Sequence, residues 1–340
     1  MCTSFRIRSA DQGVVVGRTM EFAIDLKSQP TVFPRNYKYQ AVGPNNVPGL
    51  AWEGKYGIVG MDSYGQDGLS DGINEAGLYC GALYLPGFTK YQEVPAGQES
   101  KAVSQLVDFV KYILSTCATV DEVKNAISKI YVWNMTVPQM SGNIELHFSL
   151  YDANGGSIVV EYINGESKVH DNPIGTLTNS PPFEWHMLNL GNYVNLSAIN
   201  VPDVKMPDYD IKAIGQGSGL IGLPGDFTPP SRFVRSVAFT QSALEPSTAE
   251  DGVITAYHIV NSFDIVKGMV RGKQNDKDFL ESTQWSVVVD LKNRKYYIRY
   301  YDRPITLMVD LTNTNFESDK IVRLVAKNDP WYVNIANDIK

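Results

Sequence analysis

Three tight-turn signals, each set between runs of strand character, constrain this sequence more than any other feature, because a short turn between two such runs forces them to pair antiparallel. Asp11-Gln12-Gly13 follows an alternating run with Phe5 and Ile7 on one face and Ser4, Arg6 and Arg8 on the other. It leads into Val14-Val15-Val16, so a hairpin is predicted to begin at residue 2. Asp152-Ala153-Asn154-Gly155-Gly156 separates strand patterns over 144–151 and 157–163, and Lys292-Asn293-Arg294 separates 285–291 from 296–301. Between 100 and 130 the period changes: Val103, Leu106, Val107, Val110, Ile113, Leu114 and Cys117 recur at helical spacing and predict one buried helix. Thr119-Val120-Asp121-Glu122 has capping-box form and predicts a second helix running through Ile130. Strands grouped apart from consecutive helices imply an α+β fold with antiparallel sheet, not alternating βαβ units. Cys117 reads as a core residue on this pattern.

With 43% hydrophobic residues in 340, a substantial core can form; no repeat, low-complexity tract or clear linker divides the chain, so 2–340 reads as one domain. Segment 200–232, rich in proline and glycine, is expected to be mostly loop. A formal net charge of −7 and the lack of any Lys/Arg run exclude a phosphate-backbone partner. Three cysteines cannot all pair, so reduced thiols are expected. There is no basic start followed by an apolar stretch, and no apolar run approaches the roughly 18 residues of a membrane span. The chain as written is therefore expected in the cytoplasm, or in the periplasm if a leader precedes it.

Two catalytic-looking motifs fail on context. Gly217-Ser218-Gly219-Leu220-Ile221-Gly222 has dinucleotide-fingerprint spacing, but Leu223-Pro224-Gly225 follows where a helix must start. Gly68-Leu69-Ser70-Asp71-Gly72 fits a serine-hydrolase elbow, yet a tight turn and a strand follow instead of a helix, which makes a Ser70 nucleophile the weaker alternative. The four histidines (147, 170, 186, 258) are scattered, and neither H-E-x-x-H nor C-x-x-C occurs, so no metal or other cofactor is implied. His147 reads as a structural, hydrogen-bonded histidine in a strand. A Cys80 or Cys117 pair with a histidine has no local support.

Cys2 is the position with chemical promise. A thiol attacks as its thiolate, and a cysteine at a reference pKa of about 8.5 is mostly protonated at neutral pH. An α-amino group, with a reference pKa of roughly 7.7–8.0, is partly neutral there and can take the proton. Removal of Met1 would place base and nucleophile on one residue. The predicted hairpin returns Arg18 and Glu21 towards Cys2, where Arg18 can stabilise the thiolate and Glu21 the ammonium.

Five stretches in order carry a family resemblance: Met1-Cys2-Thr3, Gly17-Arg18-Thr19-Met20-Glu21, Asp71-Gly72-Ile73-Asn74-Glu75-Ala76-Gly77-Leu78, Leu177-Thr178-Asn179-Ser180-Pro181, and Gly222-Leu223-Pro224-Gly225-Asp226 with Ser231-Arg232-Phe233-Val234-Arg235. Together they resemble the choloylglycine hydrolase and penicillin V acylase family over nearly the whole chain. The resemblance implies an N-terminal-nucleophile hydrolase with an αββα sandwich, a homotetramer, and hydrolysis of a small-molecule linear amide without cofactor. It implies Cys2 as nucleophile with its own amine as base, Arg18 beside the thiol, and Glu21 where the family usually has an aspartate on the α-amino group. Asn179 is implied as an oxyanion donor through its side-chain amide, Arg232 as the active-site arginine, and Tyr84 as the second oxyanion donor through its backbone N–H.

Two departures stand out, the first at the α-amino group and the second bearing on substrate. Glu21 keeps the charge of the usual aspartate but adds a methylene. Tyr84 stands where bile salt hydrolases of Gram-positive bacteria typically have asparagine and penicillin V acylases have tyrosine. Val32-Phe33-Pro34-Arg35 and Trp52-Glu53-Gly54-Lys55-Tyr56-Gly57 look more like the Gram-negative and archaeal branch, for which conjugated bile acids, penicillin V and N-acyl homoserine lactones are all candidate substrates. A catalytically silent acyl-amide-binding protein is the alternative from another class.

Overall fold

A computed structural model describes residues 1–136, 143–274 and 277–325. Strand Cys2–Arg8 pairs antiparallel with Val14–Phe22, Cys2 opposite Met20 and Arg8 opposite Val14, as the first turn signal requires. The turn is held by the Asp11 carboxylate, which accepts from Gly13 N (3.1 Å) and Ser9 Oγ (2.6 Å). The first sheet runs in the order Thr176–Leu177, Cys2–Arg8, Val14–Phe22, Lys277–Asp290, Lys295–Tyr300, Arg303–Asp310, with Val270–Gln274 paired to the start of the long fourth strand. The second sheet runs Glu166–Asp171, Ser157–Ile163, Leu146–Tyr151, Tyr79–Tyr84, Gln66–Asn74, Ile58–Ser63, Pro30–Phe33, Val322–Arg323. Every pairing in both sheets is antiparallel.

The alternation of side chains along these strands divides the apolar residues into three cores, which makes four layers. Cys2, Val16, Met20, Tyr79, Leu83, Tyr151, Trp285 and Val287 meet between the two sheets. The other face of the first sheet, with Phe5, Ile7 and Val15, packs on Val253, Ala256 and Val260 of the last helix. The outer face of the second sheet, with Cys80, Phe148 and Val160, packs on Val110, Ile113, Leu114 and Val123 of the first two helices. Helices α1 (Phe109–Thr116), α2 (Val120–Ile127), α3 (Phe183–Asn189), α4 (Pro229–Ser242) and α5 (Ala249–Asn261) supply the outer layers. The fold is thus α+β, an αββα sandwich. Gly17 is required where it stands, because a Cβ there would lie 2.3 Å from the ring of Phe5 on the neighbouring strand.

The capping box forms largely as predicted: Thr119 Oγ1 accepts from Glu122 N (3.2 Å), while the Glu122 carboxylate reaches Ala118 N (2.6 Å), and α2 ends at Ile127, short of Ile130. The preceding helix differs from expectation. Residues 102–104 form a short strand parallel to Tyr131–Trp133, a turn follows, and α1 begins only at Phe109. The Asp108 carboxylate decides this. Its Oδ2 accepts from Ser104 Oγ (2.7 Å) and Ser104 N (3.3 Å), which closes a turn over residues that have helical spacing but no helical backbone. Leu106 and Val107 consequently line a pocket.

Candidate active site

Cys2 begins the strand next to the edge of the first sheet, between Val14–Phe22 and Thr176–Leu177, with its side chain buried between the sheets. Its Sγ lies 3.8 Å from Met20 Sδ and 4.0 Å from Arg18 Nη2. Its backbone N–H donates to Asn179 Oδ1 at 2.8 Å. Met1 extends the strand by one residue: its carbonyl accepts from Glu21 N (2.9 Å), and its ammonium reaches Glu21 O (2.7 Å) and Glu281 Oε1 (3.2 Å).

Arg18 is fully buried beside the thiol and needs a counter-charge there. Asp71, equally buried, supplies it at 3.1 Å. The Arg18 Nη2 donates to Ala82 O (2.6 Å), and the guanidinium lies 4.9 Å from the centre of the Trp285 ring. Burial is the largest single influence and opposes its charge, but Asp71 together with Tyr79, Cys2 and Tyr296 outweighs it and holds the guanidinium above its ordinary pKa. Asp71 in turn accepts from Tyr79 Oη (2.9 Å) and Tyr296 Oη (2.5 Å), one from each sheet. Sequence reasoning placed Asp71 in a motif without giving it a task; the available signal was an aspartate two residues from Leu69 on one side and Ile73 on the other, at strand alternation.

Asn179 follows strand Thr176–Leu177 and joins three partners. Its Oδ1 accepts from Cys2 N and from Arg232 Nη2 (2.7 Å), and its Nδ2 donates to Tyr84 O (2.6 Å). Arg232, near the start of α4, also donates to Cys2 O (2.5 Å), Thr3 Oγ1 (2.9 Å) and Phe227 O (2.9 Å), so it braces the backbone of the first strand. Tyr84 pairs with Leu146, but Leu146 N donates to Tyr91 Oη (2.7 Å) while Leu85 N donates to Glu145 O (2.7 Å). Residue 84 is therefore a non-hydrogen-bonded position of the ladder, and both its N–H and C=O point to the side where Asn179 lies.

Glu21 is buried on the face of the sheet that carries Thr3 and Arg232. One oxygen accepts from Thr283 Oγ1 (3.0 Å), and the other, Oε2, has no hydrogen-bond partner among the described residues. Burial pushes its pKa up, against the pull of Met1's ammonium and Arg232. His186, unassigned from sequence, supports the site from behind: its Nε2–H donates to Asn179 O (2.8 Å), and its ring stacks on Phe233 at 4.5 Å. Burial lowers its pKa to about 4, so it is neutral at physiological pH.

The structure brings Cys2, Arg18, Asn179, Arg232 and Tyr84 into one connected set, with Glu21 joined to it through its strand. The alternatives lie apart. Ser70 sits within strand Gln66–Asn74, and its Oγ meets only Ser63 Oγ (3.0 Å) among the described residues. Burial raises the pKa of both Cys80 and Cys117, keeping them as thiols. His147 is structural, bonded to Glu161 Oε1 (3.0 Å) and Thr178 O (3.1 Å). Gly217 adopts a left-handed conformation before a single 3-10 turn, Ser218–Leu220, so no helix follows the glycine-rich stretch.

Cys2 opens into a cavity of about 710 Å³ walled in part by Met20, Leu26, Leu69, Tyr84 and Leu146. A mostly apolar pocket beside a nucleophile suits an apolar acyl group.

The αββα sandwich with a cysteine leading an inner strand defines the class of N-terminal-nucleophile hydrolases. Within it, residues 2–324 match the linear amide C–N hydrolases of the choloylglycine hydrolase family, and the chain belongs to that family. It is 34% identical to the bile salt hydrolase/transferase of Clostridium perfringens, over 94% of this chain and 95% of that one. A variant of the conjugated bile acid hydrolase of Clostridium perfringens superposes with a TM-score of 0.84 at 30% identity, covering 96% of this chain and 97% of that one. The penicillin V acylase of Agrobacterium tumefaciens gives 0.75 at 25% identity, covering 95% and 91%. The protein is an amidohydrolase acting on linear amides.

Proposed function

We propose that this amidohydrolase works through Cys2 as an N-terminal nucleophile once Met1 has been removed. Cys2 Sγ attacks the amide carbonyl carbon and its proton passes to the α-amine of the same residue. A C–S bond forms, and the carbonyl π pair moves to oxygen. Collapse breaks the C–N bond, the α-ammonium protonates the departing nitrogen, and an acyl-thioester remains. Water, giving a proton to the α-amine, attacks the thioester; thiol and carboxylic acid are released.

The observation that carries this reading is the position of Cys2, with its nitrogen on Asn179 Oδ1, its sulfur near Arg18, and the acyl-sized cavity in front of it. Arg18 favours the thiolate. Asn179 Oδ1, which already accepts from Cys2 N, and Glu21 Oε2, which has no hydrogen-bond partner among the described residues, are the acceptors proposed for an ammonium at Cys2. Asn179 Nδ2 and Tyr84 N–H, on one side of the strand, are the oxyanion donors, each worth about 2.7–4 kcal/mol in reactions of this type. Arg232 holds Asn179 in place.

For substrate we propose a small acyl amide with a large apolar acyl group: a conjugated bile acid, penicillin V or a long-chain N-acyl homoserine lactone. The first two draw support from the names of the relatives. We also propose that 2–340 acts as one catalytic domain in a homotetramer, by family resemblance, and, from the sequence, that it resides in the cytoplasm, or in the periplasm if a leader precedes it; sedimentation velocity checks the assembly. Among the described residues no helix is long and apolar enough to cross a membrane. The test is amine release from glycocholate, penicillin V and a long-chain acyl homoserine lactone by protein whose N-terminal mass is verified, beside Cys2→Ala. Turnover abolished by Cys2→Ala is expected. Turnover that survives it, or that persists with an uncleavable extension ahead of Cys2, overturns the mechanism.

A further inference from the structure

The cavity that begins at Cys2 does not end between the sheets. It passes the tip of the hairpin formed by Ile58–Ser63 and Gln66–Asn74 and reaches α1 on the outer face of the second sheet, where Asp108 and Lys111 line it. Lys111 is only 7% exposed. Its ammonium makes no hydrogen bond among the described residues; its neighbours are Asp108 Oδ1 at 3.8 Å and the ring of Tyr39 at 5.9 Å. An ammonium carries three donors, and one that opens into a pocket without a protein acceptor at hydrogen-bond distance can offer them to a ligand. Asp108 is fixed through its other oxygen, which accepts from Ser104 Oγ and from the N–H groups of Ser104 and Val42 (3.4 Å), so Oδ1 stays available.

We propose that Lys111 and Asp108 form a distal subsite that recognises a hydroxyl group at the far end of the substrate's acyl group. The proposal rests on the amide-hydrolase reading and adds a specificity determinant to it. A hydroxyl matches the pair because its oxygen accepts from Lys111 Nζ while its proton goes to Asp108 Oδ1. A carboxylate fits less well: Asp67 and Asp108 both line this end, and Arg323 is already paired with Asp62 (2.9 Å) and Asp67 (2.7 Å). A second anion would face two carboxylates. Between the subsite and Cys2 the wall includes Leu26, Leu69, Leu106 and Val107, so the stem joining amide to hydroxyl must be apolar.

The experiment compares N-acylglycines of increasing chain length in three matched series, unsubstituted, ω-hydroxy and ω-carboxy, with wild type, Lys111→Met and Lys111→Gln. At the length that spans the pocket, the ω-hydroxy substrate should show a KM about tenfold lower than its unsubstituted partner, as a hydrogen bond to a charged group supplies. In both variants that ratio should fall to about one. The proposal is overturned if no length favours the hydroxyl, if the preference survives in the variants, or if the ω-carboxy series gains more. Should no series be hydrolysed by protein verified to begin at Cys2, the hydrolase reading fails instead. Calorimetric binding of the same series to Cys2→Ala protein, with and without the Lys111 substitutions, then reads the hydroxyl preference alone.

Discussion

Asp71→Asn removes one charge from a pair in which both side chains are wholly inaccessible to water. At the 3.1 Å separation of Arg18 Nη1 and Asp71 Oδ2, an effective dielectric constant of about 20 gives a Coulomb attraction of roughly 5 kcal/mol, within the range of about 3–5 kcal/mol seen when one partner of a buried pair is deleted. Asparagine keeps the volume but leaves Arg18 without its counter-charge and offers one amide oxygen to two hydroxyl donors, Tyr79 and Tyr296. A further ~1 kcal/mol follows from the hydrogen bond that cannot be remade. The combined loss is about 4–6 kcal/mol, a large share of an ordinary domain's stability. Urea unfolding followed by tryptophan fluorescence suits the test, since Trp285 lies against Arg18. For a chain of this size the m-value is roughly 3 kcal/mol/M or more, so the midpoint should fall by about 1–2 M. Lys124→Met is the control, because its bridge to Asp171 is exposed and worth ~0.5 kcal/mol. If Asp71→Asn unfolds within experimental error of that control, the buried pair does not anchor Arg18 as argued.

The remaining predictions concern the site. His186 has its pKa lowered from 6.5 to about 4. Between those values the unfolded chain binds a proton that the folded chain does not, so stability rises with pH through this window. It is complete above 6.5 and lost towards 4, by about 3 kcal/mol in all; His186→Gln should flatten that slope in pH-dependent unfolding. Glu21→Gln removes the carboxylate proposed for the α-ammonium and should lower kcat/KM on the order of 10²-fold, while Glu21→Asp should recover most of it, both measured by amine release. Tyr84→Asn keeps the backbone N–H but removes a ring that packs edge-on to Phe22 at 6.5 Å. Steady-state kinetics should show kcat within about tenfold and a changed KM order among acyl groups.

Much of the architecture was legible because local chemistry and global fold agree. Asp11-Gln12-Gly13 is a turn by itself, and the alternation on either side of it sets which residues face which core. Hence the hairpin that returns Arg18 and Glu21 alongside Cys2 follows from twenty or so adjacent residues. The helix predicted from Val103 failed for a matching reason. Spacing alone cannot register that Ser104 and Asp108 bond each other, nor that strand Ala102–Ser104 has a partner at Tyr131–Trp133, far along the chain.

The sequence by itself determined the antiparallel hairpins, the α+β class and the one thiol whose own amine can serve as its base, because those depend on neighbours in the chain. Tertiary structure alone decided what surrounds that thiol. Asp71 opposite Arg18, Asn179 between Cys2 and Tyr84, His186 behind Asn179, and Lys111 in the same cavity as Cys2 come from both sheets, two helices and the connecting segments. Burial gives each of these contacts its strength, and burial belongs to the packed sandwich, not to any segment of it.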